Sequence, residues 1–238
     1  MSTRSSTLLF DGMVVPVTIS STSRKAKLTV ERDGSLTVTA APDVEEAEIG
    51  RFLASKREWI YSRLAEKENF AAEPVSKELV NGEGFQYLGR SYQLRLADEG
   101  NQVRMHAGKF ILPRPMLGTG AEHIVQWYRD AGLRWLRPRS KDWSSRLRVH
   151  PRSIEVADLG NKWGSAGAAG RIRIHWVTMQ LRPVLVDYVL AHELAHLREG
   201  NHGAEFWQVL GRAMPDFDER KCELAEAGAS IWRGAIGT

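Results

Sequence analysis

Residues 183–202 read PVLVDYVLAHELAHLREGNH, and this stretch decides how the rest of the chain is interpreted. Pro183 suits the first turn of a helix, because its fixed φ is helical and its missing N–H is not needed there. Apolar residues then dominate, and Gly200 is the first strong stop signal. The sequence therefore predicts a helix from about residue 183 to about residue 199.

Three polar side chains near the end of this predicted helix form the pattern His-Glu-x-x-His, at His192, Glu193 and His196. Histidines four residues apart project from one helix face, so both imidazoles can reach one Zn²⁺ at roughly 2.0–2.1 Å. Glu193 lies about 100° around the helix from His192, where a carboxylate can contact a water on the metal without ligating the metal. The spacing predicts a metal site with a general base beside it; two helical histidines that merely pack together are the structural alternative.

A third histidine follows closely, because His202 stands six residues after His196, beyond the predicted helix end. A chain that reverses at Gly200 can return this side chain to the same metal. Three imidazoles leave a fourth tetrahedral position for water, which is typical of catalytic zinc. The sequence thus favours His202 and one Zn²⁺ per chain. A carboxylate from a later helix is the alternative third ligand, and the candidates are Asp216, Glu219 and Glu223.

Composition limits the class of protein. The 238 residues are 42% hydrophobic and 26% charged, which supplies core for one large or two small domains and excludes a wholly disordered chain. The single Cys222 excludes an internal disulfide and a thiolate-rich structural zinc site. The first residues lack the apolar run of a secretory signal, and no segment approaches the roughly 20 apolar residues that span a bilayer. We therefore expect a cytoplasmic protein that does not insert into membranes.

Residues 1–118 are expected to form a β-rich region with one long helix. Strands are predicted over Met13–Ile19 and on both sides of Asp33-Gly34, which is a strong hairpin signal. The apolar spacing of residues 43–67 predicts the helix. Further hairpins are predicted at two later turns, Gly89-Arg90 and Ala107-Gly108.

Residues 119–238 are expected to form a metal-binding core, and the two regions together one compact unit. Helical periodicity begins at Gly120 and continues until Pro138, which is expected to kink or end the helix, with a second helical segment over about 139–147. The fold class is α+β. The remaining elements of this region are strands at 153–156, 160–165 and 171–176 and helices at 203–213 and 217–234.

Several short motifs stand in order along this region. They are Lys162-Trp163-Gly164-Ser165, Arg171-Ile172-Arg173-Ile174, Asp187-Tyr188-Val189, the HELAHL segment of residues 192–197, Asn201-His202, Phe206-Trp207 and Met214-Pro215-Asp216. Together they closely resemble the YgjP-like zinc metallopeptidase family, and SprT-like and WLM proteases look like more distant relatives. The resemblance implies a zincin-like metallopeptidase core with an HExxH active-site helix and a small antiparallel sheet. It also implies zinc ligation by His192, His196 and His202, with Glu193 as the catalytic acid/base.

The predicted function is zinc-dependent hydrolysis of peptide bonds. Zinc would lower the pKa of its bound water toward about 7, and Glu193 would take the proton and deliver it to the leaving amine. An extended peptide or protein substrate needs an edge strand, for which residues 171–176 or the segment paired with them are the candidates. The candidate substrate contacts are Trp163, Gly164, Ser165, Ile174, His175 and Tyr188.

Two of these contacts have a structural alternative. The alternation of residues 171–176 places His175 on the polar face of its strand, where a solvated side chain is the simpler interpretation. The family that the chain resembles usually has Asn at this position. Tyr188 stands one turn before His192, where it either donates a hydrogen bond to the oxyanion or packs.

A basic segment between residues 129 and 152 contrasts with the whole-chain net charge of +4, because it has eight Lys or Arg and only two Asp. Aromatic residues are interleaved with these charges. Such a segment can contact nucleic-acid phosphates, and the residues that test this are Arg137, Arg139 and Lys141. The simpler interpretation is an amphipathic helix with a solvated arginine face. A DNA-associated protease or nucleic-acid-binding module therefore stays as an alternative function, and so does a non-catalytic zinc scaffold.

Overall fold

The computed structural model describes residues 4–21, 23, 26–30, 35–57, 59–61, 75–160, 162–167 and 169–237. The chain divides into two compact units, residues 1–72 and residues 73–238. The division therefore lies before the predicted hairpins of residues 84–113, not after them at residue 118. The reason is that these hairpins belong to the second unit, where the backbone N–H of Leu88 donates to the carbonyl of Met179 at 2.8 Å.

The first unit contains a four-stranded sheet with the strand order β1-β2-β4-β3. Strands β2 and β4 are parallel, and the other two pairs are antiparallel. The turn between Asp33 and Gly34 lies outside the described residues, although the strands that it was expected to join are paired. The strand bounds are β1 (Arg4–Phe10), β2 (Met13–Ile19), β3 (Lys27–Val30) and β4 (Leu36–Ala40).

Helix α1 (Glu46–Ser55) follows β4 in the first unit. It begins later than the predicted residue 43, and the predicted residues 62–67 lie outside the described part of the chain. Alternate residues of β2 and β4 and one face of α1 bury a small apolar core. Its members include Val15, Val17, Leu36, Val38, Ile49 and Leu53.

The second unit begins with another four-stranded sheet, in the order β5-β6-β8-β7 with β6 and β8 parallel. Both predicted hairpins are confirmed, the first with its turn one residue earlier, at Leu88-Gly89. Ala107 and Gly108 have φ of 47° and 72°, as a two-residue turn of this kind requires. The strand bounds are β5 (Gly84–Tyr87), β6 (Arg90–Ala97), β7 (Arg104–His106) and β8 (Lys109–Pro113).

Helix α2 (Gly120–Leu147) is continuous, so the break predicted at Pro138 is wrong. Proline removes one backbone hydrogen bond from a helix interior. Packing compensates for this loss, because the turns on either side of Pro138 bury the side chains of Leu136 and Trp143.

A three-stranded sheet lies beside α2, in the order β10-β11-β9. Its strands are β9 (Ser153–Ala157), β10 (Gly164–Ala166) and β11 (Arg171–His175). Strand β10 is antiparallel to β11, but β9 is parallel to it, so the sheet is mixed rather than antiparallel as the resemblance implied. Because β11 is the central strand, the edge strands of this sheet are β10 and β9, and residues 171–176 are not available for an added peptide.

Helices α3 (Pro183–Ala195), α4 (Ala204–Ala213) and α5 (Phe217–Ala227) follow. Helix α3 ends four residues before the predicted residue 199, and α5 ends before the predicted residue 234. Helix α3 is buried on nearly every side, because it packs against α2, α4, α5 and β10. No helix in the described ranges has the length and apolar character to cross a membrane.

Candidate metal centre

Three imidazoles converge where α3 ends. His192 lies in the last turn of α3, His196 caps it, and His202 precedes α4. The Nε2 atom of His202 is 2.9 Å from Nε2 of His192 and 3.1 Å from Nε2 of His196. A tetrahedral zinc ion with Zn–N bonds of about 2.0–2.1 Å needs ligand atoms roughly 3.3 Å apart. The three Nε2 atoms therefore fit a single metal ion of this kind.

The other ring nitrogen of His196 is held by the backbone. Its Nδ1 atom lies 3.1 Å from the carbonyl oxygen of Glu199, to which an N–H at this position donates. This tautomer leaves the lone pair of Nε2 directed at the shared point, as a metal ligand requires. Burial lowers the pKa of His196, and the hydrogen bond to Glu199 acts in the opposite direction.

Two aromatic side chains of helix α4 pack against the three imidazoles. The ring centroid of Phe206 is 4.9 Å from that of His192, 4.5 Å from that of His196 and 4.8 Å from that of His202. The ring of Trp207 stacks on His202 at 5.7 Å. Because α4 begins two residues after His202, its first turn fixes the orientation of the third imidazole.

The side chain of Glu193 lies against β10. Its side chain is buried, and its carboxylate accepts a hydrogen bond from the backbone N–H of Ala166. A Cβ atom on Gly164 would lie 2.6 Å from Cγ of Glu193 and 2.8 Å from Oε1, so only glycine leaves room for the carboxylate. Burial raises the pKa of Glu193 to about 7, against the lowering effects of the Lys162 charge and of the Ala166 hydrogen bond.

The carboxylates considered as third ligands are engaged elsewhere. Asp216 pairs with Arg220 at 2.8 Å, Glu223 pairs with Arg182, and Glu219 is exposed on α5. Among the described residues, the group of ligand atoms within 4.8 Å of one another consists of the three histidines. The structure thus brings His202, and none of these acids, to the HExxH pair.

The predicted substrate contacts separate into two groups. Gly164 and its neighbours Trp163 and Ser165 lie on or next to the edge strand β10, and Gly164 touches Glu193. Ile174 and His175 are instead 0% and 3% exposed on the central strand β11. These two side chains therefore belong to the core rather than to the predicted substrate surface.

His175 acts as the cap of the short 3₁₀ turn Trp176–Gln180. Its Nδ1 accepts from the backbone N–H of Val177 at 3.3 Å, and its Nε2 donates to the carbonyl of Gly160 at 3.1 Å. The interpretation as a solvated strand residue is wrong, because the chain on both sides of β11 folds over the ring. Burial lowers the pKa of His175 to about 4, although Asp158 acts to raise it.

Tyr188 lies one turn below the first ligand on α3. Its ring centroid is 5.8 Å from that of His192, and the residue is buried.

The basic residues of α2 are distributed unevenly. The guanidinium of Arg139 lies 4.0 Å from the ring centroid of Trp135 and 3.4 Å from the carboxylate of Asp187, so it has a structural partner on α3. Arg137 and Lys141 are exposed. The opposite face of α2 packs into the core through apolar side chains, which is the amphipathic arrangement.

Some parts of the centre were missed in the sequence. The backbone N–H of Ala166 and the carbonyl of Glu199 carry no side-chain signal. Gly164 did carry one, because it belongs to the Trp-Gly-Ser motif, but that motif predicted a substrate contact rather than the space that Glu193 occupies.

Comparison with known proteins adds an independent finding. Residues 24–227 match the family described as "YgjP-like, metallopeptidase domain". Among solved structures, the chain is similar to the metallopeptidase zymogen abylysin of Pyrococcus abyssi, with 18% sequence identity and a TM-score of 0.36. That match covers 38% of this chain and 92% of the other. A search of curated proteins gave no match.

Proposed function

The chain belongs to the YgjP-like metallopeptidase family, and from that premise we propose that it is a zinc-dependent enzyme that hydrolyses peptide bonds. One observation carries the proposal. The Nε2 atoms of His192 and His196 lie 2.9 Å and 3.1 Å from Nε2 of His202. The buried Glu193 directly follows His192 in the same helix.

The metal would be held by His192, His196 and His202 through their Nε2 atoms. Bound zinc would supply a Lewis acid that polarises the scissile carbonyl and acidifies water. A set of three protein ligands is typical of catalytic rather than structural zinc, because structural zinc closes its coordination with a fourth side chain. The hydrogen bond from His196 to the carbonyl of Glu199 supports this role, since it orients the ring and fixes the tautomer.

Glu193 is the residue that moves the proton in this proposal. Its carboxylate takes a proton from the attacking water and later returns it to the leaving amine. Two contacts support its orientation for that task, namely the N–H of Ala166, which donates to the carboxylate, and the space left by Gly164. Both come from β10, so the same strand positions the general base and borders the site.

The edge strand β10 is the proposed binding surface for the substrate backbone. The carbonyl of Trp163 and the N–H of Gly167 both bond to β11, at 2.8 Å each. In an antiparallel pair, the main-chain groups of the intervening residues alternate in direction, so the carbonyls of Gly164 and Ala166 point away from β11. An extended peptide can add to these groups as a further strand. The substrate class is therefore an unfolded or extended segment of a protein.

Metal removal and restoration test this function. We expect the zinc-loaded protein to cleave fluorescein-labelled casein, to lose this activity with 1,10-phenanthroline, and to regain it with one equivalent of Zn²⁺ but not of Mg²⁺. A fully zinc-loaded protein that cleaves no member of a panel of unfolded proteins would contradict the proposal and favour a non-catalytic zinc scaffold.

A further inference from the structure

A basic cavity lies where the end of α2, the turn after α3 and helix α4 meet. Its volume is about 270 Å³. Four arginines and two apolar residues form its lining, and no carboxylate is among them. These residues are Arg146, Arg148, Arg198, Arg212, Leu147 and Val209.

Among the described residues, the four cavity arginines lack the carboxylate partners that several other arginines of this unit have. Arg139, Arg182 and Arg220 each pair with a carboxylate. Within the described part of the chain, none of the four cavity arginines forms such an ion pair. Like charges gathered around one cavity repel one another, so the arrangement favours an anion between them.

Arg148 adopts a backbone conformation that arginine seldom has. It caps the C-terminus of α2 with φ of 54°, in the left-handed region where glycine is usual. A side chain at this position costs conformational energy that glycine would avoid. The side chain of Arg148 nevertheless stands at this position and lines the cavity.

A second cavity of about 610 Å³ adjoins the first, since Arg148 lines both. It adds basic groups and hydroxyls, and it lacks acidic side chains as well. Its other lining residues include Lys141, His150, Ser140, Ser144 and Ser145. Arginine, lysine and serine are donors that commonly contact nucleic-acid phosphates.

We propose that these two cavities bind successive phosphates along the backbone of a nucleic acid. The shared Arg148 makes the basic lining continuous, which suits a chain of phosphates better than one small anion. No Phe, Tyr or Trp side chain is among the described lining residues of either cavity, so base stacking on such rings is not part of the contact. Binding is therefore independent of base sequence.

This assignment differs from the one drawn from the basic segment alone. Of Arg137, Arg139 and Lys141, only Lys141 lines either cavity. The decisive additions are Arg198 and Arg212, which come from distant parts of the sequence.

Capping of helix α2 explains the position of only one of the four cavity arginines. Arg198 donates from Nη1 to the carbonyl of Leu147 at 3.3 Å, so it helps to satisfy the end of α2. The guanidinium has five N–H donors, and most remain for a ligand. Arg212 stands on α4 and has no part in this cap.

The test uses the full chain and a fluorescein-labelled 20-base-pair DNA duplex, with binding followed by anisotropy over a salt series. We expect log K to fall with log[salt] at a slope of about −3 to −4, as roughly four phosphate contacts require. The double variant R148G/R212A should bind at least tenfold more weakly, with a slope shallower by about 2. R137A neutralises an exposed arginine of the same helix outside the cavities, and it should change the affinity less than twofold.

Thermal melting of the variants distinguishes loss of a contact with DNA from loss of folding. Because φ of 54° suits glycine, R148G should melt no lower than the wild type. Equal weakening by R137A and by the cavity variants would overturn the proposal, since it would indicate diffuse attraction. Binding of inorganic pyrophosphate without binding of the duplex would overturn it too, in favour of a small-anion site.

Discussion

His175 and the three histidines of the metal centre lie in the same unit, but their ring nitrogens are used in opposite ways. Both nitrogens of His175 are engaged with backbone groups, of Val177 and Gly160. In the metal centre, the Nε2 atoms of His192, His196 and His202 are directed at one another. Burial differs as well, because His175 is 3% exposed, whereas His192 and His196 are only partly buried and His202 is exposed.

The difference between His175 and the metal-centre histidines follows from the backbone hydrogen-bonding groups near each ring. His175 ends a strand and starts a 3₁₀ turn, so free N–H and C=O groups surround it and both nitrogens are satisfied locally. At the end of α3, the carbonyl of Glu199 takes Nδ1 of His196 and leaves Nε2. A histidine can serve as a ligand when the backbone uses one ring nitrogen and spares the other.

Removal of the third ligand, His202, should cause the largest loss of zinc and of activity. We expect H202A to lose bound zinc and, with it, all measurable peptidase activity, because two imidazoles hold zinc much less tightly than three. H175N should retain one zinc per chain. Plasma emission on purified proteins measures both, and a fully loaded, active H202A would transfer the third-ligand role to another residue.

Displacement of the base should give a smaller loss. In G164A, the new Cβ would lie 2.6 Å from Cγ of Glu193, so the carboxylate has to move. We expect the rate to fall about 100-fold, within the range of general-base effects, while zinc content stays at one per chain. G167A is the matched control, because its Cβ would meet no atom closer than 3.5 Å. Equal rates for the two variants would remove the positioning role of Gly164.

The smallest effect concerns stability in acid. The pKa of His175 is lowered from 6.5 to about 4 in the folded protein, so protonation favours the unfolded chain as the pH falls from 6.5 toward 4. The free energy of unfolding should therefore drop by about 2 kcal/mol more in the wild type than in H175N between pH 7 and pH 5.

Asparagine is chosen for this variant because its side-chain oxygen can still accept from the N–H of Val177. Urea titrations of both metal-free proteins provide the measurement, and the other titrating groups cancel in the difference. Parallel pH profiles for the two proteins would show that His175 titrates normally.

The metal centre was more predictable than the surfaces around it. Helical spacing within five residues predicts the positions of His192, Glu193 and His196. His202 is only six residues further on, so the connecting chain can follow few paths between it and His196. The hairpin at Ala107-Gly108 was equally local. Such features depend on short-range backbone geometry, which a single sequence records.

Features that depend on distant contacts were not predictable. Strand order decides that β10 rather than β11 is an edge strand, and the polar alternation of β11 gave no sign that the chain would cover His175. Pro138 was expected to break a helix that tertiary packing keeps intact. The arginine cavity joins residues 146–148 to Arg198 and Arg212, so the basic segment showed only part of it.

The most direct test of the central claim is the rate of casein cleavage by zinc-loaded E193Q, with zinc content measured on the same sample. E199Q is the control, because it changes a nearby carboxylate but keeps the carbonyl that His196 uses. We predict full zinc occupancy in both variants, with a rate at least 100-fold below the wild type for E193Q and within twofold for E199Q. Loss of zinc from E193Q, or cleavage by E193Q at the wild-type rate, would contradict the division of roles between the three histidines and Glu193.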